Sequence, residues 1–213
     1  MARRSDIILR RERHYGDRVV SCLADRPVSV HAMLAEAVAS GPDREAVVSG
    51  ETRLSYAQLD DEVARVAGGL SALGVGQGDR VALLLGNGIP FVVLTYAAAR
   101  LGATTVPMSI RDQMPGIRHA LANSGTSALI VEAAFASIVP DPEETPSLRA
   151  RIVVGAVPGY LDYEPLRSHE PLCAAAEMDE EEVATILYTS GTTGVPKGAI
   201  CLLYTSPSPR DRS

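Results

Sequence analysis

The segment ATILYTSGTTGVPKG, residues 184–198, carries the strongest structural and chemical signal in this sequence. An apolar, strand-like run ends at Tyr188, and the ten residues Thr189–Gly198 hold four hydroxyl side chains, three glycines and one lysine. Glycine lets backbone N–H groups turn toward an anion and approach it closely, hydroxyl groups add donors, and Lys197 adds a full positive charge. Open α/β sheets bind ligands at the carboxyl ends of their strands. The segment therefore predicts a loop that holds a polyphosphate.

The spacing of the glycines distinguishes this loop from the Walker A phosphate loop. That motif needs four residues between its glycines and then Gly-Lys-[Ser/Thr], whereas only two residues separate Gly191 from Gly194. Pro196 and Gly198 flank the lysine and disfavour the helix that follows a Walker A loop. A Gly- and Thr-rich surface turn without a ligand is the alternative for a loop of this composition, and the full ten-residue string disfavours it.

Upstream of this loop, strand-like and helix-like patterns alternate. The continuous apolar run Val81–Leu85 lies between glycine turns and predicts a strand buried on both faces, as in a parallel sheet. Pro90 suits the first turn of the helix that follows, and Pro107 ends a further strand over 103–108. Other predicted elements are strands at Ser127–Val131, 151–155 and Ala184–Tyr188, and short helices at Gly116–Asn123 and Glu132–Val139. This alternation predicts right-handed βαβ units and an α/β fold with a mostly parallel sheet and flanking helices.

Two helices are predicted before the first buried strand. Ser55 and Gln58 form a capping-box pattern, and the apolar residues after them recur at steps of three and four, as on one face of a helix. These apolar residues are Tyr56, Leu59, Val63, Val66, Leu70 and Leu73, and Gly74 is placed to end the helix. An earlier helix is predicted over Val30–Ala39, with Ser29 as its cap.

Composition and charge exclude several classes of protein. The chain has 213 residues, with 20 Lys and Arg against 26 Asp and Glu and a formal net charge of −6, which disfavours a general nucleic-acid-binding protein. No run approaches the roughly 20 apolar residues of a membrane span. The Arg-rich start lacks the apolar core of a secretory signal and contains acids that a mitochondrial presequence avoids. We therefore expect a cytoplasmic protein without a transmembrane segment, in which residues 1–27 form a polar leader.

Neither the cysteines nor the histidines show the spacing of a metal site. The three cysteines lie far apart without a CxxC pair, as is typical of unpaired thiols in a reducing compartment. The four histidines have no ligand spacing, so each is interpreted as a surface or packed residue. These residues are Cys22, Cys173, Cys201, His14, His31, His119 and His169. The sequence therefore predicts no metal-binding residue in this chain.

The string YTSGTTGVPKG, Tyr188–Gly198, closely resembles the phosphate-loop signature of the adenylate-forming, or AMP-binding, enzymes. This superfamily includes acyl-CoA synthetases, aryl-CoA ligases, adenylation domains of peptide synthetases and firefly luciferase. Two upstream strings are similar to the family's opening helix with its first buried strand and to the following helix–strand unit: RLSYAQLDDEVARVAGGLSALGVGQGDRVALLLGN and FVVLTYAAARLGATTVPM. The resemblance covers residues 28–200 and implies a partial N-terminal domain of the adenylate-forming fold.

The resemblance implies a two-step reaction. In the first step, ATP and a small-molecule carboxylate give an acyl-adenylate and pyrophosphate. In the second step, a thiol, usually that of coenzyme A, takes the acyl group. Mg2+ and cationic groups offset the repulsion between ATP and the carboxylate, which are both anions. Carried over by position, the ATP-phosphate contacts are Thr189, Ser190, Gly191, Thr192, Thr193, Gly194 and Lys197. No residue of this chain is assigned a catalytic role. The implied protein is an acyl-CoA synthetase of fatty acid metabolism, and the alternatives are an adenylation domain that loads a carrier-protein thiol and a non-catalytic fragment with at most weak nucleotide binding.

The last residues depart from the family pattern. After Ile200 the family continues with a buried strand and a polar turn, but CLLYTSPSPRD, residues 201–211, resembles the translation of a transposon-end sequencing adapter. We therefore expect residues 201–213 to be non-native, residues 28–200 to be a truncated AMP-binding domain, and the fragment itself to be inactive. A genuine Pro-rich tail is the alternative. On the first interpretation the second LYTS string, Leu203–Ser206, is a coincidence and not a repeat.

Overall fold

The structure is a computed structural model that describes residues 8–14, 18–189 and 196–202. Its strands are β1 (Leu9–His14), β2 (Arg18–Leu23), β3 (Glu45–Ser49), β4 (Thr52–Ser55), β5 (Arg80–Leu84), β6 (Thr104–Pro107), β7 (Ala128–Glu132), β8 (Ala150–Val154), β9 (Leu161–Asp162), β10 (Thr185–Thr189) and β11 (Lys197–Cys201). Its helices are α1 (Val30–Ser40), α2 (Tyr56–Ala72), α3 (Ile89–Arg100), α4 (Met114–Ser124) and α5 (Glu164–Arg167), with 3₁₀ turns at Ala133–Ile138 and Pro142–Glu144. Within the described ranges, no helix is both long enough and apolar enough to cross a membrane.

Seven of these strands form one sheet, in the order β11-β10-β6-β5-β7-β8-β9. Neighbouring strands in it are parallel, except that β10 and β11 are antiparallel. Helices α1, α2 and α3 pack on one face of the sheet, and α4 packs on the other. The predicted α/β fold with a mostly parallel sheet and flanking helices is therefore confirmed.

The central strand β5 shows why the chain folds into three layers. Successive side chains of a strand point to opposite faces, and in β5 both sets are apolar. Val81 and Leu83 enter the core beneath α2 and α3, whereas Ala82 and Leu84 enter the core beneath α4. All four side chains are fully buried. A continuous apolar run therefore forms a strand that is covered on both sides, as its pattern predicted.

Helix α2 begins at the predicted capping box. The Ser55 hydroxyl accepts a hydrogen bond from the Gln58 amide at 3.3 Å, and the Gln58 side-chain carbonyl accepts one from the Ser55 amide at 2.8 Å. Two N–H groups that the first helical turn cannot satisfy internally are thus paired. The predicted apolar face is buried at Leu59, Val63, Val66 and Leu70. Gly74 follows the helix with a φ of 82°, a backbone conformation that favours glycine.

The structure differs from the sequence-based expectation in three places. The predicted polar leader contains an antiparallel hairpin of β1 and β2. Residues 157–171, for which no strand or helix was predicted, contain β9 and the single turn α5. The helix predicted over Glu132–Val139 is a 3₁₀ turn. At the other end, Cys201 completes β11 and Leu202 is buried, while 203–213 lie outside the described residues.

His31 on α1 is a half-buried titratable group within the helical layer. Its Nδ1 is buried and has no hydrogen-bond partner among the described residues. Burial lowers the pKa of His31 below its ordinary value of 6.5; the Arg100 guanidinium lowers it further, and Asp60 opposes the shift. The folded state therefore favours the neutral imidazole.

This shift makes stability depend on pH in a defined direction. Below about pH 6.5 the unfolded chain takes up a proton at His31 before the folded chain does, so the free energy of unfolding falls with falling pH. We expect the melting temperature of a His31→Gln variant to fall less than that of the wild type as the pH drops from about 7.5 to about 5.5. Circular dichroism melts at matched ionic strength measure the difference. Parallel pH profiles for the two proteins would contradict this role.

Candidate functional site

The predicted phosphate loop connects the paired strands β10 and β11. In the antiparallel register, Thr189 at the end of β10 lies opposite Lys197 at the start of β11, and Tyr188 lies opposite Gly198. Both Thr189 and Lys197 are exposed. Because β10 runs parallel to β6, Thr189 lies at the carboxyl edge of the parallel strands, where α/β sheets bind ligands.

The structure brings together the two ends of the predicted site. Of the seven residues assigned as phosphate contacts, it describes Thr189 and Lys197 and places them directly across the strand pair. The other five lie outside the described residues: Ser190, Gly191, Thr192, Thr193 and Gly194. In the described part of the chain a strand, not a helix, follows the loop. This agrees with the expectation, drawn from Pro196 and Gly198, that a helix does not follow the loop.

Helix α4 holds both flanks of this loop. The His119 imidazole Nε2 donates a hydrogen bond to the Pro196 carbonyl at 2.9 Å, so Nε2 carries the proton. The Tyr188 hydroxyl donates to the Asn123 side-chain carbonyl at 2.7 Å. His119 and Asn123 are four residues apart and therefore share one face of the helix. One helix face thus contacts the residue before Thr189 and the residue before Lys197.

Aromatic packing supports the same contact. The rings of His119 and Tyr188 meet edge to face, with centroids 6.1 Å apart and planes at 88°. Burial raises the pKa of Tyr188, although a hydrogen bond with Ser124 opposes the shift. The hydroxyl therefore stays protonated near neutral pH and remains a donor to Asn123. These contacts hold the face of β10 that carries Tyr188 against α4.

Gly198 allows β11 to approach the Tyr188 ring. A Cβ built at Gly198 would lie 3.0 Å from the Ile186 methyl carbon Cγ2 and 3.2 Å from the ring carbon that bears the Tyr188 hydroxyl. Both separations are tighter than ordinary van der Waals contacts. The glycine after the lysine therefore serves the packing of the strand pair, a role that loop composition alone does not indicate.

Sequence reasoning missed the contribution of α4. The sequence predicts only a surface or packed histidine at His119 and indicates no role for Asn123. The only sequence signal for the pair is their four-residue spacing on a predicted helix, which gives one helix face but no partner. The His119–Pro196 bond spans 77 residues of sequence. Only the tertiary fold brings the two together.

Comparisons with known proteins agree with this architecture. The model of the AMP-binding enzyme family matches residues 34–201. The long-chain-fatty-acid–CoA ligase FadD13 of Mycobacterium tuberculosis is 36% identical over 175 residues, covering 79% of this chain and 34% of the relative. A feruloyl-CoA synthase of Amycolatopsis sp. is 39% identical over 159 residues, covering 75% of this chain and 30% of the relative. The chain thus spans about a third of the length of the curated relatives it matches.

A solved structure shows the same fold. The inhibitor-bound crystal structure of the N-terminal domain of FACL13 from Mycobacterium tuberculosis is similar to this chain with a TM-score of 0.74 and 33% sequence identity. The similarity covers 82% of this chain and 44% of that domain. The parallel sheet and the helices on its faces therefore correspond to part of that domain.

Proposed function

This chain belongs to the AMP-binding enzyme family, and on that premise we propose that it supplies the ATP-phosphate loop of an acid–thiol ligase of the acyl-CoA synthetase type. The observation that carries the proposal is the pairing of Thr189 with Lys197 at the carboxyl edge of the sheet. That pairing places a hydroxyl and a cation at the two ends of the loop 190–195. The names of the relatives, which are CoA ligases of fatty and aromatic acids, support the same reaction class.

The loop's task follows from the charges of the reactants. A carboxylate must attack the α-phosphate of ATP, and both are anions, so the site has to offset their repulsion and stabilise the departing pyrophosphate. We assign the β- and γ-phosphates to Lys197, to the hydroxyls of Thr189, Ser190, Thr192 and Thr193, and to the amides of Gly191 and Gly194. Mg2+ would enter with ATP as a counter-ion of its phosphates. Hydroxyl and amide groups suit phosphate oxygens, and we assign no residue of this chain to the metal.

The second half-reaction and the domain limits complete the proposal. We propose coenzyme A as the acceptor thiol and a fatty or aromatic acid as the acyl donor. We further propose that residues 28–200 are part of a longer AMP-binding domain and that residues 201–213 are not native. Since the chain spans about a third of its relatives' length, we expect the 213 residues alone to form no acyl-adenylate.

An acid-dependent exchange assay on the full-length protein tests the function. We expect radiolabelled pyrophosphate to exchange into ATP only when a suitable acid from a fatty and aromatic panel is present, and acyl-CoA to appear when coenzyme A is added. Exchange without acyl-CoA, together with loading of a phosphopantetheine carrier, would replace coenzyme A by a carrier protein as acceptor. Absence of exchange with every acid would overturn the ligase assignment. Exchange by the 213-residue chain alone would contradict its proposed inactivity.

The contact between α4 and the loop makes His119 a positioning residue for ATP. Loss of one hydrogen bond of about 1 kcal/mol corresponds to about a fivefold change, so we expect His119→Ala to raise the KM for ATP about fivefold in the full-length protein. The KM values for the acid and for coenzyme A should stay near those of the wild type. Steady-state kinetics with each substrate varied in turn give the comparison.

Two further variants separate positioning from general damage. His119→Gln keeps an N–H donor that can reach the Pro196 carbonyl and should recover most of the ATP affinity. His169→Ala removes an exposed histidine elsewhere on the surface and should have no effect. If His119→Ala raised all three KM values equally and lowered the melting temperature, its role would be structural.

A further inference from the structure

One face of the β1–β2 hairpin gathers three side chains that commonly ligate metals. Glu12 and His14 are alternate residues of β1 and therefore point to the same side. The register pairs Arg10 with Cys22, which brings the Cys22 side chain to that side as well. A carboxylate oxygen, an imidazole nitrogen and the Cys22 sulfur all lie within 4.8 Å of one another. His14 and Cys22 are buried, with 7% and 3% of their surfaces exposed.

Charged neighbours orient two of these side chains. Arg26 Nη2 lies 2.6 Å from Glu12 Oε2 and also contacts the Glu180 carboxylate. His14 Nε2 lies 3.2 Å from the same Glu12 oxygen, and His14 Nδ1 lies 3.9 Å from Glu181 Oε1. Metal-ligating histidines commonly present their second nitrogen to a carboxylate, and ligating carboxylates are themselves hydrogen-bonded. Glu12 accepts such a hydrogen bond from Arg26, and His14 Nδ1 faces the Glu181 carboxylate at 3.9 Å.

The donor set indicates which metal would bind. A thiolate, an imidazole and a carboxylate form a mixed sulfur, nitrogen and oxygen set, which suits Zn2+, whereas Mg2+ and Ca2+ prefer oxygen ligands alone. A thiolate and a carboxylate together balance the charge of a divalent ion. Zinc bonds of about 2.0–2.3 Å place tetrahedral ligands roughly 3.5 Å apart. Side-chain rotations that move the ligand atoms by about 1 Å would bring the three groups to that spacing.

We propose that Glu12, His14 and Cys22 bind one Zn2+ ion, with a fourth position left for water. The site would fasten the hairpin at the place where Arg26 already joins it to Glu180. It does not depend on the proposed ligase activity. The site cannot be predicted from sequence because Cys22 lies eight residues from His14 with no recognised spacing. The strand register alone brings the two together.

Cobalt spectroscopy of the 213-residue chain tests the site. The reduced chain is stripped of metal with a chelator and titrated with Co2+, which takes zinc positions and reports its ligands through absorption. We expect saturation at one equivalent, a thiolate-to-cobalt charge-transfer band, the visible bands of tetrahedral cobalt, and loss of all of them when Zn2+ is added. Glu12→Gln and His14→Gln should each weaken Co2+ binding by at least about tenfold.

The other cysteines provide matched controls. Cys22→Ser should lose the charge-transfer band, whereas the double variant Cys173→Ser, Cys201→Ser should keep it, because those thiols lie outside the cluster. Far-ultraviolet circular dichroism checks that each variant is folded. If Cys22→Ser does not fold, retention of the band by the double variant still assigns it to Cys22. No band in the wild type at excess Co2+, or a band that persists in folded Cys22→Ser, would show that the cluster is a hydrogen-bonded network only.

Discussion

Replacement of Lys197 by alanine is expected to slow adenylate formation in the full-length protein by about 100- to 1,000-fold. The lysine is the only one in the sequence, and it begins β11 directly opposite Thr189 at the exposed edge of the sheet. In the proposed reaction, negative charge develops on the leaving pyrophosphate. A preorganised cation beside those oxygens stabilises the transition state more than it stabilises bound ATP, so its loss appears in the rate of the first half-reaction.

Separate measurement of the two half-reactions makes this expectation specific. Single-turnover formation of the adenylate should slow strongly, while thiol transfer from preformed acyl-adenylate should stay within a few-fold of the wild-type rate, because pyrophosphate has left by then. Lys197→Arg keeps the charge and should recover part of the rate. Arg118→Ala removes an exposed cation on α4 that pairs with Glu144 and should change neither step. Equal slowing of both half-reactions by Lys197→Ala would exclude a role in holding the leaving phosphates.

The elements that could be predicted from sequence are those whose signals are local. The capping box of Ser55 and Gln58 lies within a single helical turn, and the run Val81–Leu85 contains its own evidence of burial on both faces. Thr189 and Lys197 belong to one contiguous string, so the string indicated both ends of the loop. The structure buries or pairs the residues that carry each signal, and phosphate contact by Thr189 and Lys197 stays a prediction.

The features that could not be predicted depend on contacts between distant segments. The β1–β2 hairpin has arginines at four of its strand positions, and its buried face consists of residues such as Glu12, His14 and Cys22, so the alternation of a half-buried strand is absent. Arg26, three residues after β2, pairs with Glu180, which lies 154 residues further along the chain. The contact of His119 with Pro196 cannot be predicted for the same reason, because the two residues lie 77 positions apart in the sequence. Local pattern predicts the elements and the contacts within one helical turn, but contacts between polar side chains of distant segments follow only from the fold.

The paired glycines near the carboxyl end of α2, Gly68 and Gly69, lead to an expectation opposite to the one from helix propensity. Glycine in a helix interior costs about 1 kcal/mol relative to alanine, so Gly68→Ala would ordinarily stabilise α2. Here a Cβ at Gly68 would overlap the backbone carbonyl oxygen of Glu170, closer than the 3.0 Å limit of real Cβ contacts. At Gly69 it would lie 2.7 Å from Leu166 Cδ2 and 3.0 Å from Leu166 Cα. We therefore expect Gly68→Ala to lower the free energy of unfolding by about 3 kcal/mol.

Urea unfolding of the 213-residue chain measures this loss, and Gly76→Ala is its matched control. Gly76 has no atom within 4 Å of an added Cβ and is not among the glycines with positive φ, so its replacement should leave stability nearly unchanged.

Hydrogen exchange at the Leu172 amide then identifies the cause of the loss. The Leu172 amide donates to the Ala64 carbonyl of α2 at 2.8 Å, and an alanine at position 68 must push that neighbouring segment away. Hydrogen exchange of the Leu172 amide should therefore speed up in Gly68→Ala more than exchange of the amides in β5. A Gly68→Ala chain as stable as the wild type, with Leu172 still protected, would mean that α2 and the segment at Glu170 are not packed as closely as the structure places them.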